Sequence, residues 1–181
     1  PVVALFDSAA LALSADAPVS DGVLAMGAAN ADALTLTSDG TTNGRVHAIV
    51  TSRDLAQVFG DQPVEILREI SHAADADALR ALNQRARALV LRYLTNAASS
   101  DWLARFTSRV DANIVRRVIA MAAPEELPAC WCFSGSSGRG ESLTMLAPQL
   151  VMIVDDSQEQ SRSLGAYQRV LDLLGECGYL P

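Results

Sequence analysis

Hydrophobic and polar positions change rhythm along this chain. The first 70 residues carry short apolar runs, residues 5–13 and then Leu34-Thr35-Leu36-Thr37, whose alternation predicts a strand. Between them Ala17-Pro18-Val19-Ser20-Asp21 predicts a helix start, with Ser20 or Asp21 as N-cap and Val23, Leu24, Met26 and Gly27 beyond it. Residues 38–44, SDGTTNG, are turn formers and predict a hairpin that returns along residues 46–50. Residues 51–59 then read as a helix capped by Thr51 or Ser52.

From Pro63 to Met121 the spacing lengthens to three- and four-residue steps. Leu79, Leu82, Ala86, Leu89, Val90, Tyr93 and Leu94 share one helical face, with Asp75 and Asp77 suited to the first turn. NAASS at residues 96–100 interrupts the pattern. It resumes through Trp102, Leu103, Phe106, Val110, Ile114, Val118 and Met121, and Pro124 and Pro128 end it. Two antiparallel helices packed on their apolar faces are expected. Short apolar runs return at residues 130–133 and 150–154, two further strands, and a helix over residues 164–174 places Tyr167, Val170, Leu171 and Leu174 on one side. The fold class expected is α/β of the α+β kind.

Composition narrows the function. Half of the 181 residues are hydrophobic, enough for a real core, and no apolar run nears the roughly 20 residues of a membrane span. PVVALF at the N-terminus lacks the basic flank and cleavage pattern of a secretory signal, so a cytoplasmic protein is expected. A net charge of -7 argues against general nucleic-acid binding. All fourteen basic residues are arginine, which points to a biased, bacterial genome. Residues 80–117 nevertheless hold eight arginines against Asp101 and Asp111, a face that either is solvated and paired with acids elsewhere or meets phosphate or an acidic partner. Three cysteines are too few for a disulfide scaffold. Cys130 and Cys132 fall on one strand face and are expected to be small buried hydrophobes. His47 and His72 lie in different segments, against a Cys/His zinc site or a Ser-His-Asp hydrolase.

The candidate chemistry lies in CWCFSGSSGRGESLTMLAPQLVMIVDD, residues 130–156. An apolar strand ends in Ser134-Gly135-Ser136-Ser137-Gly138, Arg139 and Glu141 follow, and a second strand comes after. Gly and Ser there leave backbone N–H groups free around an anion, and Arg139 suits phosphate. This stretch resembles the polymerase-beta type of nucleotidyltransferase, and within it the nucleotidyltransferases related to protein-PII uridylyltransferase, which read G-S-x-G-R-x-E, then D-x-D, then a strand. The resemblance implies that Gly135 and Ser136 hold triphosphate oxygens. It also implies two aspartates holding magnesium, and their positions fall on Ala147 and Gln149. Magnesium is usually held by carboxylates, phosphates and water. A methyl group offers no ligand and a carboxamide no formal charge, so no magnesium site is expected. Asp155 and Asp156 are no substitute, since six strand residues span roughly 20 Å.

Upstream, the order helix–strand–turn–strand–helix closing on Ile49-Val50-Thr51-Ser52-Arg53-Asp54-Leu55 resembles one CBS motif, half of a paired adenine-nucleotide-binding module. The resemblance implies that Thr51 and Asp54 approach the ribose of AMP, ADP or ATP and that Arg53 faces phosphate. Helix capping explains Thr51 and Asp54 equally well, and Ala48 stands where the family usually has glycine. Together these resemblances imply a CBS-like motif at residues 1–70, a helical linker at 71–128 and the start of a nucleotidyltransferase-like domain at 129–181, in a chain cut or shortened inside that fold. The expected function is an adenine-nucleotide sensor coupled to a catalytically degenerate nucleotidyltransferase-like domain, dimeric through its CBS-like part, signalling to a protein partner. Two alternatives stand beside it: an active transferase modifying a protein with UMP or AMP, and a dimeric scaffold that binds no nucleotide.

Overall fold

The computed structural model describes residues 10–59, 63–95, 100–123, 129–142, 147–154 and 160–179. They form a mixed α/β architecture in which helices outweigh two small sheets. The chain divides into two compact units, Pro1–Arg68 and Glu69–Pro181. No helix among the described residues is long and apolar enough to cross a membrane.

In the first unit, β1 (Ala12–Ser14) pairs in parallel with β2 (Ala33–Thr37), and β2 pairs antiparallel with β3 (Val46–Thr51). The 38–44 segment forms the expected hairpin. The Asp39 carboxylate accepts hydrogen bonds from the Thr41 N–H and hydroxyl at 2.9 and 3.0 Å, and these hold its pKa below the usual carboxylate value. Helix α1 (Val19–Ala29) fills the crossover between β1 and β2. It begins earlier than the sequence predicted. Pro18, with φ fixed at -56°, takes the N-cap position and its carbonyl accepts the Asp21 N–H at 2.9 Å, so Ser20 and Asp21 lie inside the first turn. Asn30 closes α1 in the left-handed region at φ 52°.

Helix α2 (Ser52–Phe59) follows β3 directly, and α3 (Pro63–His72) starts in this unit. Val23, Met26, Leu34, Leu55 and Val64 form the core, with Leu11, Leu13, Leu36 and Val50 packed on it. Gly27 lies close against Leu67: a Cβ there would meet its Cδ1 at 2.4 Å and its Cβ at 3.2 Å, so the Leu67 side chain would have to shift. Asp32 and Arg68 pair at the surface.

The second unit is built on α4 (Ala76–Thr95), α5 (Ser100–Ala122) and α7 (Gln160–Glu176), which contact one another pairwise. Most of the predicted helical stripes is buried: Leu79, Leu82, Ala86, Leu89 and Val90 from α4, and Trp102, Leu103, Phe106, Val110, Ile114 and Val118 from α5; Tyr93 and Met121 are half-buried, and Leu94, expected on the packed face, is 52 % exposed. Trp102 stacks on Phe106 and meets Tyr93 edge-on, with centroids 5.4 and 5.0 Å apart. Asn83 donates to the Cys177 carbonyl at 3.0 Å and Arg169 to the Ala122 carbonyl at 3.1 Å, each satisfying a carbonyl at or just beyond a helix C-terminus.

Several arginines of the basic segment pair with acids, Arg85 with Glu69, Arg80 with Asp77 and Arg105 with Asp101. Others make further contacts. Arg116 donates to Asn113, Arg117 to the Ala73 carbonyl at 2.7 Å, and Arg87 lies over the Tyr179 ring.

Strands β4 (Ala129–Phe133) and β5 (Leu150–Val154) pair antiparallel, Phe133 opposite Leu150 and Ala129 opposite Val154. The Trp131 ring stacks on Tyr167 of α7 at 5.9 Å, and the Tyr167 hydroxyl donates to the Leu150 carbonyl at 3.0 Å. One sheet face therefore packs on α7. Cys130 and Cys132 point the other way. They share a face as predicted, but the expectation that they are buried fails, because Cys130 is exposed and Cys132 only half-buried. Alternation fixes a face; only a second layer of structure buries it.

Candidate nucleotide-binding turn

The sheet matters because it aims β4 into the Gly-Ser segment. Ser134 is extended and its N–H donates to the Gln149 carbonyl at 2.9 Å, so the ladder continues one residue beyond the strands. The backbone then turns at Gly135, φ +56°, into the single-turn helix α6 (Gly135–Arg139), which Gly140 closes at φ +72°. Gly138 donates to the Ser134 carbonyl at 2.9 Å and Glu141 to the Ser136 carbonyl at 3.0 Å. The first N–H groups of such a helix, those of Gly135, Ser136 and Ser137, have no acceptor one turn earlier within it. One turn carries little macrodipole, so any anion affinity here rests on those N–H groups themselves.

Gly135 has a second reason to be glycine. A Cβ there would lie 1.8 Å from Oε1 and 3.0 Å from Cδ of Gln149. The Gln149 carboxamide is thus laid against the bare Cα that opens the turn, while its own N–H donates to the Ser137 hydroxyl at 3.3 Å. Gly138 is similarly confined, since a Cβ would come within 2.8 Å of the Phe133 carbonyl. Arg139 donates to Glu141 at 2.7 Å and both side chains are largely exposed, which holds the guanidinium at the end of α6.

Gly135, Ser136 and Arg139 therefore share one turn with Gln149. Ala147 is directed elsewhere: it lines a cavity of about 600 Å³ with Leu171, Asp172, Leu174, Gly175, Glu176 and Tyr179. Asp172 and Glu176, four residues apart on α7, bring two carboxylates to that cavity. Among the described residues, no three His, Cys, Asp or Glu side chains lie close enough together to hold one metal ion between them. Asp155 and Asp156 lie outside the described residues.

Thr51, Arg53 and Asp54 belong to the first unit. Thr51 ends β3 and Asp54 sits in the first turn of α2. One Asp54 oxygen accepts from the Thr51 N–H at 2.8 Å and from its hydroxyl at 2.7 Å, and the Asp54 N–H returns a bond to that hydroxyl at 3.3 Å. This reciprocal pair satisfies the helix start in the manner of a capping box. The Thr51 hydroxyl and N–H, with a smaller contribution from Arg53, hold the Asp54 pKa below its usual value. Arg53 is exposed beside them.

Residues 84–181, more than half of the chain, match the family described as "Putative nucleotidyltransferase DUF294". The chain belongs to this family. No curated protein and no solved structure matches it. The DUF294 match takes in most of α4, all of α5, the turn and α7, so the helices and the Gly-Ser sheet fall within one family domain.

Proposed function

We propose that this DUF294 member is a regulatory nucleotide-binding protein whose nucleotidyltransferase-like domain keeps the phosphate-binding turn and has lost catalysis. Gly135, Ser136 and Arg139 hold phosphate oxygens. A CBS-like part, residues 1–70, senses AMP or ATP through Thr51, Arg53 and Asp54. Residues 71–128 couple it to residues 129–181. Adenine nucleotide shifts the placement of the parts and so the affinity for a protein partner.

One observation carries this reading: beside the Gly135 turn, where nucleotidyl transfer needs carboxylates for its metal, the chain presents the Gln149 carboxamide, with Ala147 two residues before it. The β–α–β–β–α order of the first unit and the Thr51–Asp54 pair at the β3–α2 junction support the sensing part. Val46 and Ile49, 59 % and 67 % exposed on β3, support a second CBS-like half from another copy.

Calorimetry with ATP and with AMP, each with magnesium and with a chelator, tests the proposal. Wild type is expected to bind ATP with or without magnesium. Gly135→Val removes binding at the turn and Asp54→Ala removes binding in the first unit. No binding by wild type, or undiminished binding by the double variant, ends the reading. Incorporation of labelled UMP or AMP into protein, with magnesium or manganese, overturns it in favour of an active transferase. If Ala147→Asp with Gln149→Asp confers such incorporation on an inactive wild type, loss from an ancestral site is supported.

A further inference from the structure

Cys130 and Cys132 belong to neither half of that proposal. Their neighbour Trp131 stacks on Tyr167, so the two thiols project from the opposite face of β4, with sulfurs 3.7 Å apart. Val151 and Ile153, their partners across the ladder, are 43 % and 58 % exposed. The pair is open to solvent from above and fixed from below by strand pairing.

Three fates are available to two adjacent thiols. Full burial as small hydrophobes is excluded, since Cys130 is exposed and Cys132 only half-buried. A disulfide needs sulfurs about 2.0 Å apart and Cα atoms no more than about 6.8 Å apart. Two residues along an antiparallel strand span about 6.8 Å, the far limit of that range. Closing the bond therefore asks β4 to shorten while both cysteines remain paired with Ile153 and Val151. Capture of a cation asks for less. Thiolate–zinc bonds of about 2.3 Å at a tetrahedral angle hold two sulfurs about 3.8 Å apart, close to the spacing this strand already imposes.

We infer that Cys130 and Cys132 form a two-thiolate site for a thiophilic divalent cation of the zinc and cadmium class. Two sulfur–metal bonds form, the two thiol protons leave to solvent, and no electron is transferred. Among the described residues no further His, Cys, Asp or Glu completes the set, so the outward coordination positions fall to water or to the same two cysteines of a second copy. Soft thiolates select such cations over magnesium, which keeps the site chemically distinct from the phosphate turn.

The test uses the reduced, metal-free full chain titrated with cadmium, reading the thiolate-to-cadmium charge-transfer absorbance against a chelator of micromolar affinity. Wild type is expected to develop the band and hold cadmium against the chelator. Cys130→Ser and Cys132→Ser are each expected to lose it, with unchanged circular dichroism because both positions face solvent. Buried Cys177 stays in every variant as an internal control. Sedimentation of the loaded protein shows whether one copy or two fill the shell, and either result supports the two-thiolate site. A band that fails to appear, or one that survives in both single variants, overturns it. So does quantitative conversion by oxidised glutathione to an intrachain Cys130–Cys132 disulfide while cadmium is not retained.

Discussion

Asp111 on α5 is 5 % exposed and accepts a hydrogen bond from the Tyr179 hydroxyl at 2.7 Å. Burial pushes its pKa from 3.8 up to about 6, against the opposing pull of Tyr179, Arg87 and Ser142. Between those two values the native state keeps a proton that the unfolded chain has released, so stability falls as pH rises from 3.8 to about 6 and is level above. A shift of this size corresponds to about 3 kcal/mol. Asp111→Asn removes the slope while still accepting from Tyr179. Urea denaturation at about pH 4 and about pH 7 should show the variant gaining on wild type by up to about 3 kcal/mol at the higher pH. Equal pH dependence in the two proteins would refute the assignment. Nothing in the sequence marked Asp111 as different from Asp101. Its partner lies 68 residues away, and only the packed structure brings the two together. The cysteines teach the same lesson in reverse: their period-two spacing made the shared face legible, and their exposure was not.

At the scale of elements, two glycines separate backbone conformation from contact. Gly135 and Gly140 both have positive φ, but a Cβ on Gly140 meets nothing within 4 Å while one on Gly135 meets Gln149. Gly140→Ala is expected to cost about 1–2 kcal/mol, the left-handed penalty alone. Gly135→Ala should cost more, and adding Gln149→Ala should return it to the level of Gly140→Ala in a double-mutant cycle. If Gly135→Ala is no worse than Gly140→Ala, the carboxamide does not press on the turn. In the first unit, Thr51→Ala should cost about 1 kcal/mol by denaturation whether or not nucleotide binds, since the Thr51 hydroxyl caps the start of α2. Most elements were legible because alternation and three-to-four spacing are local signals. The start of α1 was misplaced because proline, which brings its own φ and a free carbonyl, outranked the better side-chain caps Ser20 and Asp21.

Across the whole molecule, the apolar stripes of α4 and α5 named most of the buried residues of those two helices in advance, Leu94 excepted, whereas the docking of α7 was not legible. Beside its buried Ala166, Val170 and Leu174, α7 is held by polar contacts such as Asn83 to Cys177 and Arg169 to Ala122, 94 and 47 residues apart, which no window along the chain contains. Phe106 of α5 is fully buried. Phe106→Ala is expected to cost about 3–5 kcal/mol, read from the midpoint of denaturant unfolding; a cost below about 1 kcal/mol would show a site able to collapse around the loss. The two tryptophans divide the second unit between them. Trp102 lies inside the helical core, stacked on Phe106, and Trp131 rides the strand that leads into Gly135. Their fluorescence therefore carries two separable signals. Replacing Trp102 with phenylalanine would leave a single emitter two residues from the end of β4, able to register a ligand's arrival at the turn without any label being attached.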